Sequence, residues 1–209
     1  AICAEKDGST SSNVTISGGT IGGTGADANK ATGTDSDNGF GGAVFIKGST
    51  VNINGCTLEG NKAKNGGGVY VDMNSTFKMH GGTIKNNTSN VGKGVYVAGG
   101  DGTPAMLDAD FIMGGEACVG NWVAGTLQDG NDVYLGENLH GGELVSIEID
   151  KDNPITKSKV ACITPKSYGA DQTVLMMSDG STDVEAYNDK FTVTPEEDSG
   201  NTYYWEVDN

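Results

Sequence analysis

Gly66-Gly67-Gly68-Val69-Tyr70-Val71 is the stretch that decides how this chain folds. It returns at an offset of 26 as Gly92-Lys93-Gly94-Val95-Tyr96-Val97, and an earlier copy stands at an offset of 25 as Gly41-Gly42-Ala43-Val44-Phe45-Ile46. A looser copy is Gly130-Asn131-Asp132-Val133-Tyr134-Leu135. Aligned without a gap, residues 49–71 and 75–97 are identical at ten of 23 positions. Three further pairs exchange one apolar residue for another: Val51/Phe77, Ile53/Met79 and Leu58/Ile84. Self-similarity at one fixed period is the mark of stacked structural units, each burying its apolar face against the next.

Within one unit the apolar residues alternate with polar ones, which marks strands and not helices. Val51 and Ile53 point one way and Asn52 and Asn54 the other; Val69 and Val71 flank Tyr70. Three short strands per unit, with Gly- and Asn-rich corners, predict an all-β fold, a parallel β-helix whose coils stack at roughly 4.8 Å. The first coil begins near Ser12, after a polar lead over 1–11. Its Val14-Thr15-Ile16 matches Val51-Asn52-Ile53 at an offset of 37 instead of 25, so it carries an insertion, read as an exposed loop over 24–41. The fourth coil is irregular, with a second insertion of the same length near 98–109 and 122–130. Residues 1–143 therefore read as the repeat region. Residues 144–209 read as terminal coils and a β-rich cap, with strands at 144–149, 159–163, 173–177, 191–194 and 203–207.

Composition fits this fold. The chain has 209 residues, with 34 Gly and only 4 Pro, which suits many tight turns. Its net charge is −15 and it contains no arginine. No nucleic-acid partner is expected on that ground, because phosphate binding needs clustered Lys or Arg. An anionic membrane surface is disfavoured for the same reason, and no apolar run predicts membrane insertion. The acidity reads as a source of solubility. No intact signal peptide stands at the start, so the chain reads as a mature or trimmed segment. The four cysteines, Cys3, Cys56, Cys118 and Cys162, lack metal-ligand spacing. Cys56 replaces the second Gly of a Gly-Gly pair and reads as a small structural residue; a bridge between two of the others stays open.

Stacking makes equivalent residues into columns. Asn61 lies over Asn87, with Asn121 read as a third member of a structural ladder that satisfies corner backbone groups. If Val69 and Val71 face inward, Tyr70 faces out. Phe45, Tyr96 and Tyr134 do the same in their units, forming an outward aromatic stripe. It serves either as self-stacked support for the wall or as a binding surface for a glycan or a host protein.

The run Ser75-Thr76-Phe77-Lys78-Met79-His80-Gly81-Gly82-Thr83-Ile84-Lys85-Asn86-Asn87, followed by Gly92–Val97 in the pattern above, resembles the right-handed parallel β-helix repeats of large bacterial surface proteins. These include adhesins and the passenger domains of polymorphic outer-membrane proteins, with their Gly-Gly-Ala-Val-like motifs. Lys190-Phe191-Thr192-Val193-Thr194-Pro195 with Tyr203-Tyr204-Trp205 is similar to the tail that closes such arrays. The resemblance covers 12–135 well and 136–209 loosely. It implies an extracellular or cell-surface location and a structural or adhesive role.

The alternative is a carbohydrate-active β-helix, a polysaccharide lyase or a glycoside hydrolase. The scattered lysines, the absence of arginine and the lack of carboxylates converging from adjacent units argue against it. Asp108 and Asp110 form only a local pair, and His80 and His140 are too isolated for a histidine metal site. The chain is thus expected to be no enzyme and to need no cofactor. Calcium is the one metal with candidate loops, Asp35-Ser36-Asp37-Asn38-Gly39 and Asp150-Lys151-Asp152-Asn153. Neither has the full ligand run, and both read as solvated turns. An ice-binding face is disfavoured because Lys78 and His80 interrupt any outward Thr array.

Overall fold

The computed structural model describes residues 1–31, 33, 39–101, 103, 106–169 and 171–207. Among them the chain is all-β, apart from two short 3-10 turns, and is built on two large parallel sheets. One sheet contains Ile2–Glu5, Val44–Lys47, Val69–Val71, Val95–Val97, Val133–Leu135, Ala161–Pro165 and Phe191–Val193, and their order in space is their order in the chain. The other runs from Asn13–Ile16 and Thr20–Gly22, both alongside Thr50–Glu59, through Thr76–Lys85 to Asp110–Met113 and Cys118–Val119. It ends at Ile147–Ile149 and Leu175–Met177. The chain passes from one sheet to the other and back at each level.

Side-chain alternation explains why these segments are strands. Val44, Ile46, Val69, Val71, Val95 and Val97 are fully buried, while Phe45, Tyr70 and Tyr96 between them are half-buried on the outer face. The opposing sheet supplies Val51, Ile53, Leu58, Phe77, Met79 and Ile84, also fully buried. Phe77 and Phe111 stack inside with ring centroids 5.1 Å apart. Val51 lies opposite Phe77, Ile53 opposite Met79 and Leu58 opposite Ile84, as the repeat spacing predicts. One continuous apolar cluster extends from Ala4 to Phe191.

The structure corrects four local expectations. The polar lead contains a strand: Ile2–Glu5 pairs in parallel with Val44–Lys47, because Ala4 turns into the core and Ile2 is half-buried beside it. Instead of three short strands per unit, the first two fuse into the ten-residue strands Thr50–Glu59 and Thr76–Lys85, and a two-residue strand appears at Lys62–Ala63. The ungapped alignment also slips locally. Asn54 pairs with Gly81, not His80, before Thr57 and Thr83 come back into step. The left-handed glycine conformation falls at Gly55 in one strand and at Gly82 in the next, which lets a cysteine occupy position 56.

The fourth correction concerns the asparagine ladder. Asn61 donates from its backbone N–H to Asn87 Oδ1 at 2.9 Å, and Asn87 donates in the same way to Asn131 Oδ1 at 3.0 Å. Asn121 is exposed and lies at the base of the antiparallel hairpin of Trp122–Val123 and Thr126–Leu127. The hairpin precedes the ladder position, so the fully buried Asn131, and not Asn121, is the third member. At the other end Asn29 Nδ2 donates to Asn61 Oδ1 at 2.8 Å, so part of the 24–41 insertion is tied to the ladder.

Beyond residue 144 the strands join the same two sheets. Ala161–Pro165 pairs with Val133–Leu135, and Phe191–Val193 follows it. Glu196–Asp198 and Asn201–Tyr203 form a separate antiparallel hairpin. Among the described residues no helix is long and apolar enough to cross a membrane.

Candidate functional site

The parallel register that buries the valines also aligns the residues between them. Phe45 lies opposite Tyr70, Tyr70 opposite Tyr96 and Tyr96 opposite Tyr134. Neighbouring strands in a sheet are about 4.8 Å apart, so in-register aromatic rings reach stacking distance without adjustment. Ring centroids are 5.8 Å apart for Phe45 and Tyr70, 4.7 Å for Tyr70 and Tyr96, and 4.8 Å for Tyr96 and Tyr134. The tyrosine planes lie within 14° and 27° of parallel. Phe40, not anticipated from the sequence, adds a fifth ring 4.5 Å from Tyr70. Its only sequence signal is its place before the Gly41-Gly42 corner, where the next units carry Asn65 and Val91. The row ends at Cys3 on one side and Thr164 on the other.

This geometry restricts what the column can offer. The faces of Tyr70 and Tyr96 are covered by their neighbours, so the interior rings present edges and hydroxyl groups, not flat platforms. The hydroxyls of Tyr70, Tyr96 and Tyr134 make no hydrogen bond to the protein among the described residues. Burial of the rings pushes the Tyr70 phenol well above its usual range, helped by Tyr96 and the Asp72 carboxylate. Tyr96 is raised by burial and then by Asp72. Tyr134 is pushed up to about 12 by burial, then by Tyr96 and Glu137. The column is therefore a row of neutral, protonated phenols at near-constant spacing, with Asp72 and Glu137 beside it.

The remaining candidates are dispersed. Asp108 Oδ1 accepts hydrogen bonds from Gly100 N and Asn138 Nδ2 and serves as a loop anchor. Asp110 accepts from Thr76 Oγ1 at 3.1 Å. Half-buried Glu148, on the neighbouring strand, is raised by burial and next by the Asp110 charge, with Lys78 opposing. The sequence reading missed this partner because it lies outside the repeating stretch. His80 Nε2 lies 2.9 Å from Asp150 Oδ2. Asp150 also accepts from Asp152 N, as expected of a turn residue. Of the other calcium candidate, residues 35–38 lie outside the described residues. Among the described residues no group of three or more His, Cys, Asp or Glu is placed to hold a metal ion. All four cysteines are free thiols, with Cys56, Cys118 and Cys162 buried.

Comparison with protein-family models, with curated proteins and with solved structures returned no match.

Proposed function

We propose that this chain is a right-handed parallel β-helix module of the bacterial cell-surface type, extracellular and non-catalytic, and that its aromatic column is an adhesive surface for a glycan or a host protein. The observation that carries the reading is the register of Phe45, Tyr70, Tyr96 and Tyr134, which places three phenol hydroxyls in one line. Because the ring faces are occupied, the ligand is gripped by hydrogen bonds to those hydroxyls, a chemistry suited to a hydroxyl-rich chain, and not by stacking. Equivalent residues of successive units, paired in two parallel sheets, support the helical architecture. A binding array of glycans and extracellular host proteins tests the function. Tyr70→Phe with Tyr96→Phe keeps the stack, removes two hydroxyls and should cut binding at least tenfold with Tm preserved. Unchanged binding would leave the column as wall support alone.

One observation favours a second reading, a carbohydrate-active enzyme. Asp110 and Glu148 stand on adjacent strands, and the raised affinity of Glu148 for its proton suits a general acid. Depolymerisation of acidic or neutral polysaccharides by the purified chain, lost on Glu148→Gln, would replace the adhesive reading with this one.

A further inference from the structure

At the end of the sheets formed by Leu175–Met177 and Phe191–Val193, the fold leaves a cavity of about 750 Å³. Its apolar lining includes Leu144, Leu175, Val184 and Val193. Tyr168 and Trp205 form an aromatic wall with ring centroids 5.9 Å apart. Both polar handles on these rings are already engaged: Tyr168 OH donates to Thr194 O at 2.9 Å, and Trp205 Nε1 donates to Glu196 Oε2 at 3.1 Å. What the rings offer a ligand is therefore their π surface. Three exposed carboxylates, Asp171, Asp183 and Glu206, line the mouth. Among the described residues no lysine or histidine lines the cavity. The Ser167 hydroxyl oxygen, also in the lining, is shut off from solvent and has no hydrogen-bond partner among the described residues.

An apolar floor, aromatic faces with their own donors tied off, and a mouth of one charge sign are complementary to one chemistry. We propose that this cavity binds an organic ammonium with an apolar stem. The stem lies against Leu175, Val184 and Val193, and the cationic head sits between the aromatic faces and the carboxylates. Ring faces attract cations through their quadrupole, most strongly where water is partly excluded. The carboxylates add a screened Coulomb attraction. The site is separate from the aromatic column and does not depend on it.

Three probes that share one stem and differ in charge test this: n-hexylammonium, 1-hexanol and hexanoate. The chain has two tryptophans, so in a Trp122→Phe background the indole emission reports Trp205 alone. Hexylammonium should give a saturable change at concentrations about tenfold lower than hexanol, with hexanoate weaker than both and the hexylammonium response falling as salt rises. Asp171→Asn, Asp183→Asn and Glu206→Gln together are isosteric changes at exposed positions. They should bring hexylammonium down to the level of hexanol while leaving hexanol and Tm unchanged. Tyr70→Phe with Tyr96→Phe should have no effect on any probe, which separates this site from the adhesive column. Equal responses to all three probes, no saturable response to hexylammonium, or a hexylammonium response unaltered in the triple variant would each overturn the proposal.

Discussion

Asn87 Oδ1 accepts two hydrogen bonds from a single residue, one from the backbone N–H of Asn61 and one from its side-chain Nδ2, each at 2.9 Å. Asn87 Nδ2 in turn donates to Leu58 O at 3.0 Å. One side chain thus satisfies the corner of the unit before it, in a place closed to water. Replacing it strips a buried N–H and a buried C=O of their partners at once. Asn87→Ala should cost about 3 kcal/mol, a fall in Tm of roughly 6–12 °C for a chain of this size. Asn121→Ala, at an exposed position, should stay within about 0.5 kcal/mol. Thermal melts of the two variants check both.

Leu58 is fully buried opposite Ile84. Leu58→Ala should lose about 3 kcal/mol through lost transfer energy and the cavity left behind. Leu58→Asp should cost more, because the carboxylate has no partner in that layer. Urea denaturation midpoints should rank wild type above Leu58→Ala, and Leu58→Asp last or unfolded.

Gly82 has φ +90°, and a Cβ there would lie 2.1 Å from the Cys56 carbonyl oxygen. Gly55 also has positive φ, but a Cβ there would come no closer than 3.6 Å to Ser17 O. Gly55→Ala should therefore cost only backbone strain, on the order of 1–3 kcal/mol, whereas Gly82→Ala must also displace backbone. Soluble yield and Tm should fall much further for Gly82→Ala, although the two positions lie in equivalent corners of neighbouring strands.

The phenol column links stability to alkaline pH. Below pH 10 both folded and unfolded chains keep the phenol protons, and the contribution of the column is complete. Above the ordinary tyrosine value of 10.0 the unfolded chain releases protons that folded Tyr70, Tyr96 and Tyr134 retain. The unfolded state then binds fewer protons, so stability falls as pH rises through about 12, where Tyr134 titrates in the folded chain. Absorbance of tyrosinate should rise in two stages, the second coinciding with loss of the β-sheet circular dichroism signal. A single stage centred on 10 would mean that the rings are not shielded.

The parts of the fold visible in the sequence are those where spacing and alternation agree. Val69, Tyr70 and Val71 predict both the partner strand and the outward ring, because a parallel register converts a fixed sequence offset directly into contact. The reading fails where the chain leaves that spacing. The hairpin at 122–127 displaces the ladder from Asn121 to Asn131, and no local feature distinguishes the two asparagines. Ile2–Glu5 is only four residues long, too short an alternation to register as a strand. Phe40 and Glu148 come next to the aromatic column and to Asp110 only through strand pairing. The cavity at Trp205 is built from segments without internal similarity, so no period foretells it.

The ordering of the seven-stranded sheet has a mechanical consequence. Spatial order equals chain order, and the bonds between neighbouring strands point along the stack. Tension between the two ends of the molecule therefore pulls along those bonds and peels repeat units one at a time, instead of shearing many together. Each release frees the chain between equivalent strands: from Val69 to Val95 that is about 9 nm of extended chain, and from Val95 to Val133 about 13 nm. Under load the molecule lengthens as an uneven staircase at low force, an extensible tether and not a rigid strut.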